Sequence, residues 1–555
     1  MKKSLAVLLA ALLMAGIVSG AFAGGQAASG GAAAGGSASA GGSGTPAAGG
    51  TLLIGEYILD SQLAARNPFF PNNTHMGTMN LIYERLMYFN PISGELEPEI
   101  ATGYEWSDNY MTLTFTIRDN DTWHDGRPVS AEDAAFTYNV LKQYPVTDRF
   151  SLWKKLSSVT AQGNKVIFKL SQSFTSLPFY TNDIVIVPKH IWESIPNIAE
   201  FLNPNPVGSG PFTWGTYNTG TDIQLKANKN YWRGAPKVDN FIIRMYNNAP
   251  NLTLGLLRQD VHATMGTIAM ANLPEFLSRP NAKMQKYAGF SNYQVILNLE
   301  NELLADVNVR KAMTLAINTN DLITRGEYNG VFPTSSGWLP AIFGELLSAN
   351  ARKDHVYDPA GAMKILEAAG YTRGSDGIYQ KNGKRLSFTY HNQSGAPAQQ
   401  MEAGMIQQWL LNIGIEIIPR LATGPELTQL AQTGRFNLLQ MGIGFPGDPY
   451  AALNTSFHSS MTAPAGQAAL GTNYFRYRNP KVDALLDEVS GVVDTGKQRE
   501  LYGQIQDILI DQVPFLPMYN VGGHVPYYDG GRYAGWVEDA PIFCSRGIIQ
   551  VYEIK

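Results

Sequence analysis

Residues that could do chemistry are present in this chain, but few stand at a spacing that would let them act together. Gly491 to Lys497 (GVVDTGK) matches most of a phosphate-binding loop, G-x-x-x-x-G-K. That loop next requires Ser or Thr to hold magnesium, and Gln498 stands there instead. It also requires a preceding strand, whereas this stretch joins two amphipathic helical patterns, so a turn between helices is expected. The eight histidines (His75, His124, His190, His262, His355, His391, His458 and His524) are scattered, and none lies within four residues of another. A zinc site would need clustered ligands, so neither metal nor cofactor is expected. No G-x-S-x-G elbow occurs; Gly208-Ser209-Gly210 lacks that spacing. A pair of glycosidase carboxylates stays open on sequence alone, although an arbitrary carboxylate is more often a cap or a solvated group. No catalytic residue is assigned.

The chain begins Met1-Lys2-Lys3, continues with an apolar run from Leu5 to Val18, and reaches Ala21-Phe22-Ala23. A short basic start, an apolar core and an A-x-A site describe a secretory signal peptide, here residues 1–23. Residues 24–50 are almost wholly Gly, Ala and Ser, too polar and small to offset their ordering entropy, and read as a flexible linker. The single cysteine, Cys544, excludes an intrachain disulfide and leaves no cysteine after the signal peptide for a lipid anchor. Net charge is −4 with histidines neutral, which argues against a nucleic-acid partner or an anionic membrane surface. The remainder is long enough for two or three domains with substantial cores.

Those domains differ in pattern. Short strands punctuated by Gly, Pro and Asn dominate Thr51 to about Tyr293. Leu113, Phe115 and Ile117 alternate with threonines, as in a half-buried strand. Ser130 can cap a helix with Glu132 and Asp133 in its first turn, Phe136, Val140 and Leu141 on its apolar stripe, and Pro145 after it. Lys165–Leu170 follows a Gly163-Asn164 turn as another strand. The second half is helical by spacing. Asp306 can cap a helix bearing Val309, Ala312, Met313, Ala316 and Ile317 on one face. Asp358-Pro359 starts another, with Ala362, Ile365, Leu366 and Ala369 buried. Ile406, Trp409, Leu410 and Ile413, then Val482, Leu485, Leu486 and Val489, then Leu501, Ile505, Ile508 and Leu509 repeat the spacing. The fold class is α/β, with α+β character in the first half.

The wording of several segments adds a resemblance. Leu96–Leu141, Pro206–Phe212 (PVGSGPF), Asn230–Asp239 (NYWRGAPKVD), Leu303–Ala312 (LLADVNVRKA), Tyr357–Tyr371 and Val513–Tyr519 (VPFLPMY) occur in this order. Together they resemble the family 5 extracellular solute-binding proteins, receptors of oligopeptide, dipeptide, nickel and some oligosaccharide ABC importers. The resemblance covers nearly all of residues 51–555. It implies a two-lobed periplasmic-binding-protein clamshell with an extra inserted domain. Lobe I would be discontinuous (51–85, 205–295 and 522–555), domain II would be inserted at 86–204, and lobe III would span 296–521. The crossings between lobes would lie near Tyr293–Leu299 and Tyr519–Val525.

The same resemblance nominates ligand-binding residues. A buried cleft needs aromatic area and a few orienting polar groups. Met441–Tyr450, after a strand-like Phe436–Gln440, is similar to the family's G-W-x-x-D-x-x-D-P region. Gly442 and Gly444 would allow close backbone approach, and Asp448 matches the final D-P element. In peptide-binding relatives an earlier carboxylate of this loop holds the α-ammonium; here Phe445 and Pro446 occupy its place, and Ile443 replaces the tryptophan. Trp338 falls in a loop that often lines the cleft, and Asn67 and Asn298 fall near it. The candidates are therefore Asn67, Asn298, Trp338, Gly442, Gly444, Phe445 and Asp448.

The expectation is a secreted, monomeric receptor that captures oligopeptides by closure of two lobes and delivers them to the permease subunits of an ABC importer. A β-glucan or cello-oligosaccharide receptor is the alternative, suggested by the missing acid and by nine tryptophans and 27 tyrosines available for stacking. A secreted hydrolase is the third reading.

Overall fold

The computed structural model describes residues 49–58, 66–69, 76–148, 151–265, 268–444 and 447–554. The expected signal peptide, nearly all of the linker, and Phe445 with Pro446 lie outside the described residues. The rest folds as two compact units. One comprises 173–180 and 287–522; the other includes 181–286, 523–555 and the described residues up to 172. Residues 173–180, expected in domain II, thus pack with the unit that holds most of the second half. No described helix is long and apolar enough to cross a membrane.

The unit containing the N-terminal half holds two four-stranded sheets. In the first, Thr51–Tyr57 pairs in parallel with Asn240–Tyr246, followed by antiparallel Asp222–Ala227 and Phe212–Asn218. The second is wholly antiparallel, in the order Ala101–Ser107, Thr112–Ile117, Lys165–Leu170, Leu156–Gln162. Leu113 and Phe115 are fully buried as their alternation requires, but Thr112 and Thr114 are only 8% exposed, so this strand is covered on both faces. Helix Ala131–Gln143 is N-capped by Ser130 in a reciprocal capping box with Asp133. Its buried face is built on Ala134, Tyr138 and Leu141, whereas Phe136, expected on the stripe, is only part-buried. Tyr138 instead meets Phe168 edge-on at 4.7 Å.

Two sequence blocks from this unit meet at one place. His124 Nδ1 accepts the Gly208 amide (3.2 Å) while its Nε2 meets the Gly210 carbonyl at 3.0 Å. Gly208 and Gly210 have no room for a side chain: an added Cβ would come within 1.9 and 2.6 Å of the Ile82 and Leu81 carbonyl oxygens.

The other unit is organised by one five-stranded sheet. Its strands are β1 (Ala282–Leu297), β2 (Ser387–Gln393), β3 (Glu416–Ala422), β4 (Leu438–Gly444) and β5 (Phe515–Tyr528), in the order β3-β2-β4-β1-β5. β2 is parallel to both β3 and β4, and β1 is antiparallel to β4. β1 and β5 both continue past the boundary of this unit, at Lys286/Tyr287 and Gly522/Gly523. The parallel strands are linked by helices, which supply the α/β character. Helices α1 (Val307–Ala316, capped by Asp306), α2 (Pro359–Ala368, capped by Asp358) and α3 (Pro397–Asn412) carry the expected stripes, except that Ile365, Ala369 and Trp409 are only part-buried at the margin of the core. Val309, Ala312, Met313, Ala316, Ala362, Leu366, Ile406 and Leu410 are all fully buried in one core with Leu438 and Leu516.

The loop resembling a phosphate site is a turn between helices Pro480–Val489 and Thr495–Gln512. Asp494 caps the second helix and takes the Lys497 amide at 2.7 Å. The Lys497 ammonium lies 3.2 Å from Glu500, so the groups that would cradle a phosphate are already engaged.

Candidate functional site

In open α/β sheets ligands bind outside the carboxyl ends of the parallel strands, because helix N-termini and short loops converge there. In the five-stranded sheet this edge is formed by the end of β2 at Asn392 and Gln393 and the end of β4 at Gly442 to Gly444. Helices α3 and α4 (Pro449–Phe457) start close by in sequence. The expected binding loop therefore begins later than its glycines suggested: Met441–Gly444 extend strand β4 and pair with Ser291–Gln294 of β1. Alternation along β4 puts Gln440, Gly442 and Gly444 on one face, across from Val295, Tyr293 and Ser291.

Gly442 has a steric role there. A Cβ added to it would lie 3.0 Å from the Tyr293 ring, so its absence lets that ring lie across the strand. Tyr293 stacks on Tyr519 of β5 with ring centroids 5.3 Å apart and an interplanar angle of 3°. The Tyr519 hydroxyl is 3.2 Å from Glu402 Oε2 and 3.2 Å from Glu327 Oε1. Gln440 donates to Glu402 Oε2 at 2.8 Å and accepts from the Tyr390 hydroxyl at 2.9 Å. Burial, and then the neighbouring Glu327 carboxylate, push the Glu402 carboxyl well above its usual range. Burial also raises Glu327.

Most other candidates have their polar groups engaged inside the protein. Asn67 is fully buried; its amide donates to the Ile198 and Phe201 carbonyls (2.6 and 2.8 Å) and its oxygen accepts the Phe69 amide. Asn298, 6% exposed, does the same for Gly434, Phe436 and Glu300. Both tie loops to the core rather than present their amides at a surface. Trp338 has no exposed area, and its indole donates to the Ala452 carbonyl at 3.0 Å. Asp448 caps α4 by accepting the Ala451 amide at 2.7 Å, and also meets Ser176. Gly444 is exposed at the strand end. The structure thus sets Gly442 and Gly444 at the end of β4 and Asp448 at the cap of α4, while Asn67 belongs to the other unit.

Burial raises the Asp448 carboxyl to about 7, more than its hydrogen bonds lower it. A carboxyl raised in the folded state keeps a proton that the unfolded chain has already lost. Its contribution is therefore complete below the unfolded value near 3.8 and is lost as pH rises toward about 7. Asp448→Asn keeps a cap acceptor without the titration. Across this window the stability difference between the two proteins should change by up to about 1.4 kcal/mol per pH unit, the variant holding stability better as pH rises. Urea midpoints measured at several pH values check this, and parallel curves would refute it.

Glu327, Glu402 and the Tyr293–Tyr519 stack were not among the sequence candidates. A signal existed for Glu402, because it stands four residues before Ile406 on the apolar stripe of α3, where a charge is out of place.

Comparison with known proteins places this geometry. A profile of the bacterial extracellular solute-binding proteins, family 5 (middle region), matches residues 95–463. The oligopeptide-binding protein AppA of Bacillus subtilis is 27% identical over 454 residues, covering 77% of this chain and 78% of the relative. A solved periplasmic oligopeptide-binding protein of Thermotoga maritima superposes with a TM-score of 0.80 at 24% identity, covering 91% of this chain and 99% of that one. The Thermotoga protein solved with mannohexaose bound superposes at 0.72 and 23% identity, covering 92% and 99%. The mixed α/β fold is that of the periplasmic-binding-protein clamshell class.

Proposed function

Because the chain belongs to the bacterial extracellular solute-binding proteins, family 5, we propose that it captures oligopeptides outside the cytoplasm and delivers them to the permease subunits of an ABC importer. As a member of that family it is a solute-binding receptor for import and not an enzyme. The family match across residues 95–463 carries this reading, and the relative AppA, named for oligopeptide binding, supports the peptide cargo. The chain's start, with its basic residues, apolar run and A-x-A site, supports export across the inner membrane.

Capture by closure follows from linkage. A ligand touched by two lobes gains contacts only when they close, so it shifts the population toward closure by its differential affinity for that state. The permease would then read the closed form of a monomeric receptor. Ligand at the end of β4 would meet exposed backbone at Gly444, next to the Tyr293 ring that lies over Gly442, and Asp448 would hold the start of α4.

One observation favours a second cargo. The Thermotoga relative was solved with mannohexaose bound, and here Phe445-Pro446 stands where a peptide receptor would keep an ammonium-binding acid. Thermal-shift screening of peptide and oligosaccharide pools separates the two, since stabilisation grows as RT ln(1 + [L]/Kd). Stabilisation by peptides alone supports the first reading, and by oligosaccharides alone the second. Conversion of any pool member into product would refute both and restore a hydrolase.

A further inference from the structure

Beneath the carboxyl edge of the five-stranded sheet the protein buries two carboxyl groups against each other, with no basic side chain among the described residues that act on them. Glu402 has no exposed area, and Glu327 is half-buried. The groups that perturb them are Tyr519, Gln440 and one another. The Tyr519 hydroxyl has one proton to give and two carboxylate oxygens at 3.2 Å, so it satisfies one of them at a time. Two adjacent buried carboxylates cannot both ionise without a compensating charge, so they share a proton.

Acceptors here outnumber donors. Among the described residues Glu402 Oε1 has no donor besides the proton shared with Glu327. Asn392 Oδ1, on a residue 1% exposed, has none among them. Asn392 follows Tyr390 by two residues along β2, so both side chains project from the same sheet face, on which the Tyr390 hydroxyl reaches Gln440. Gln440 is also the residue that holds Glu402. The orphan amide oxygen thus lies on the sheet face that carries Tyr390 and Gln440, and Gln440 and Tyr519 hold the Glu402 carboxyl, the Tyr519 ring stacking on a Tyr293 that is only part-buried. Orphaned acceptors, negative charge and aromatic faces are the chemistry that recognises a cation bearing several N–H donors.

We propose that Glu327, Glu402 and the Tyr293–Tyr519 stack form a subsite for a cationic N–H group of the ligand, an ammonium or a guanidinium, which takes the place of the shared proton. The assignment rests on the receptor reading and narrows its cargo to ligands carrying a basic group. It supplies the counter-charge missing from Phe445-Pro446, by residues remote from that loop in sequence. Glu327 is the member with exposed area, so the ligand's cation would meet it first. As the cation arrives one proton leaves to solvent, both carboxyls become carboxylates, and net charge at the subsite is conserved.

The test is isothermal titration of the exported chain near pH 7 with tri-lysine, tri-alanine and cellotetraose, each in two buffers of different ionisation enthalpy. Tri-lysine should bind tightest and release about one proton per ligand. Glu327→Gln should weaken tri-lysine roughly tenfold to a hundredfold and abolish the proton release, leaving a neutral probe unaffected. Glu402→Gln, which keeps an acceptor for Tyr519, should do the same, with the melting temperature of each variant as its folding control. Tri-lysine binding without proton release, or binding indifferent to both substitutions, overturns the subsite. Binding of cellotetraose with both peptides ignored, or of tri-alanine without proton release, overturns it as well and leaves the receptor reading standing. No binding by any probe, together with no stabilisation by the wider peptide and oligosaccharide pools, overturns both.

Discussion

Trp338→Ala is expected to lower the stability of the unit containing residues 287–522 by about 3–5 kcal/mol, the range for deleting a large aromatic side chain from a packed core. Trp338 has no exposed surface and meets three phenylalanines edge-on: Phe457 at 5.0 Å, Phe475 at 5.6 Å and Phe515 at 5.0 Å. Phe457 closes helix α4, and Phe515 opens strand β5, so one indole ties the helix that starts at the candidate site to an edge strand of the sheet. Alanine would leave a cavity at this junction and strip the Ala452 carbonyl of its 3.0 Å indole donor, a buried loss on top of the packing loss. The residue also holds a φ of +81°, which a bulky side chain adopts only where packing compels it. Urea unfolding of the variant measures the loss. A change below about 1 kcal/mol would remove Trp338 from the core and return it to the ligand-facing role that its loop position suggested.

The contrast with that suggestion marks what a sequence can and cannot carry. Periodicity reports which face of an element is buried, so the stripes of α1, α2 and α3 were legible, as were the caps at Ser130, Asp306 and Asp358. Their chemistry is local: a side-chain oxygen meets an amide two or three residues away. The fate of Asn67, Asn298 and Trp338 was not legible, because their partners (Ile198, Gly434 and Ala452) are fixed by packing between distant segments. Glycine misled in the other direction. Gly442 and Gly444 read as loop residues, yet they extend β4, where the first of them makes room for an aromatic ring on the neighbouring strand. Glu327 and Glu402 illustrate the same limit, since only the packing of α3 against residues 322–326 and the sheet brings them to one hydroxyl of β5. The resemblance named the fold because it samples many segments at once; it did not name the atoms at the site, because those segments are mostly framework.

Glu84→Leu shows what that framework does, and its expected cost is of similar size. Glu84 is fully buried and gathers donors from two of the motifs that carried the resemblance. Its oxygens accept the Tyr231 hydroxyl at 2.6 Å, the Trp232 indole at 3.0 and 3.1 Å, and the Ser209 hydroxyl at 3.2 Å. Burial, with Asp121 and Glu99 nearby, drives the Glu84 carboxyl well above its usual range. Leucine would fill most of the volume but offer no acceptor, leaving three donors stranded. At about 1–3 kcal/mol for each unsatisfied buried group, with partial relaxation, a loss of roughly 4 kcal/mol follows. The network is coupled, so Tyr231→Phe in the Glu84→Leu background should cost less than Tyr231→Phe alone, since its hydroxyl has already lost its partner. Additive losses in that double-mutant cycle would refute the coupling. The tyrosine and tryptophan of the Asn230–Asp239 motif and the serine of the Pro206–Phe212 motif would then need separate explanations. If the coupling holds, these motifs meet at one buried carboxyl of the framework, which accounts for their silence about the cargo.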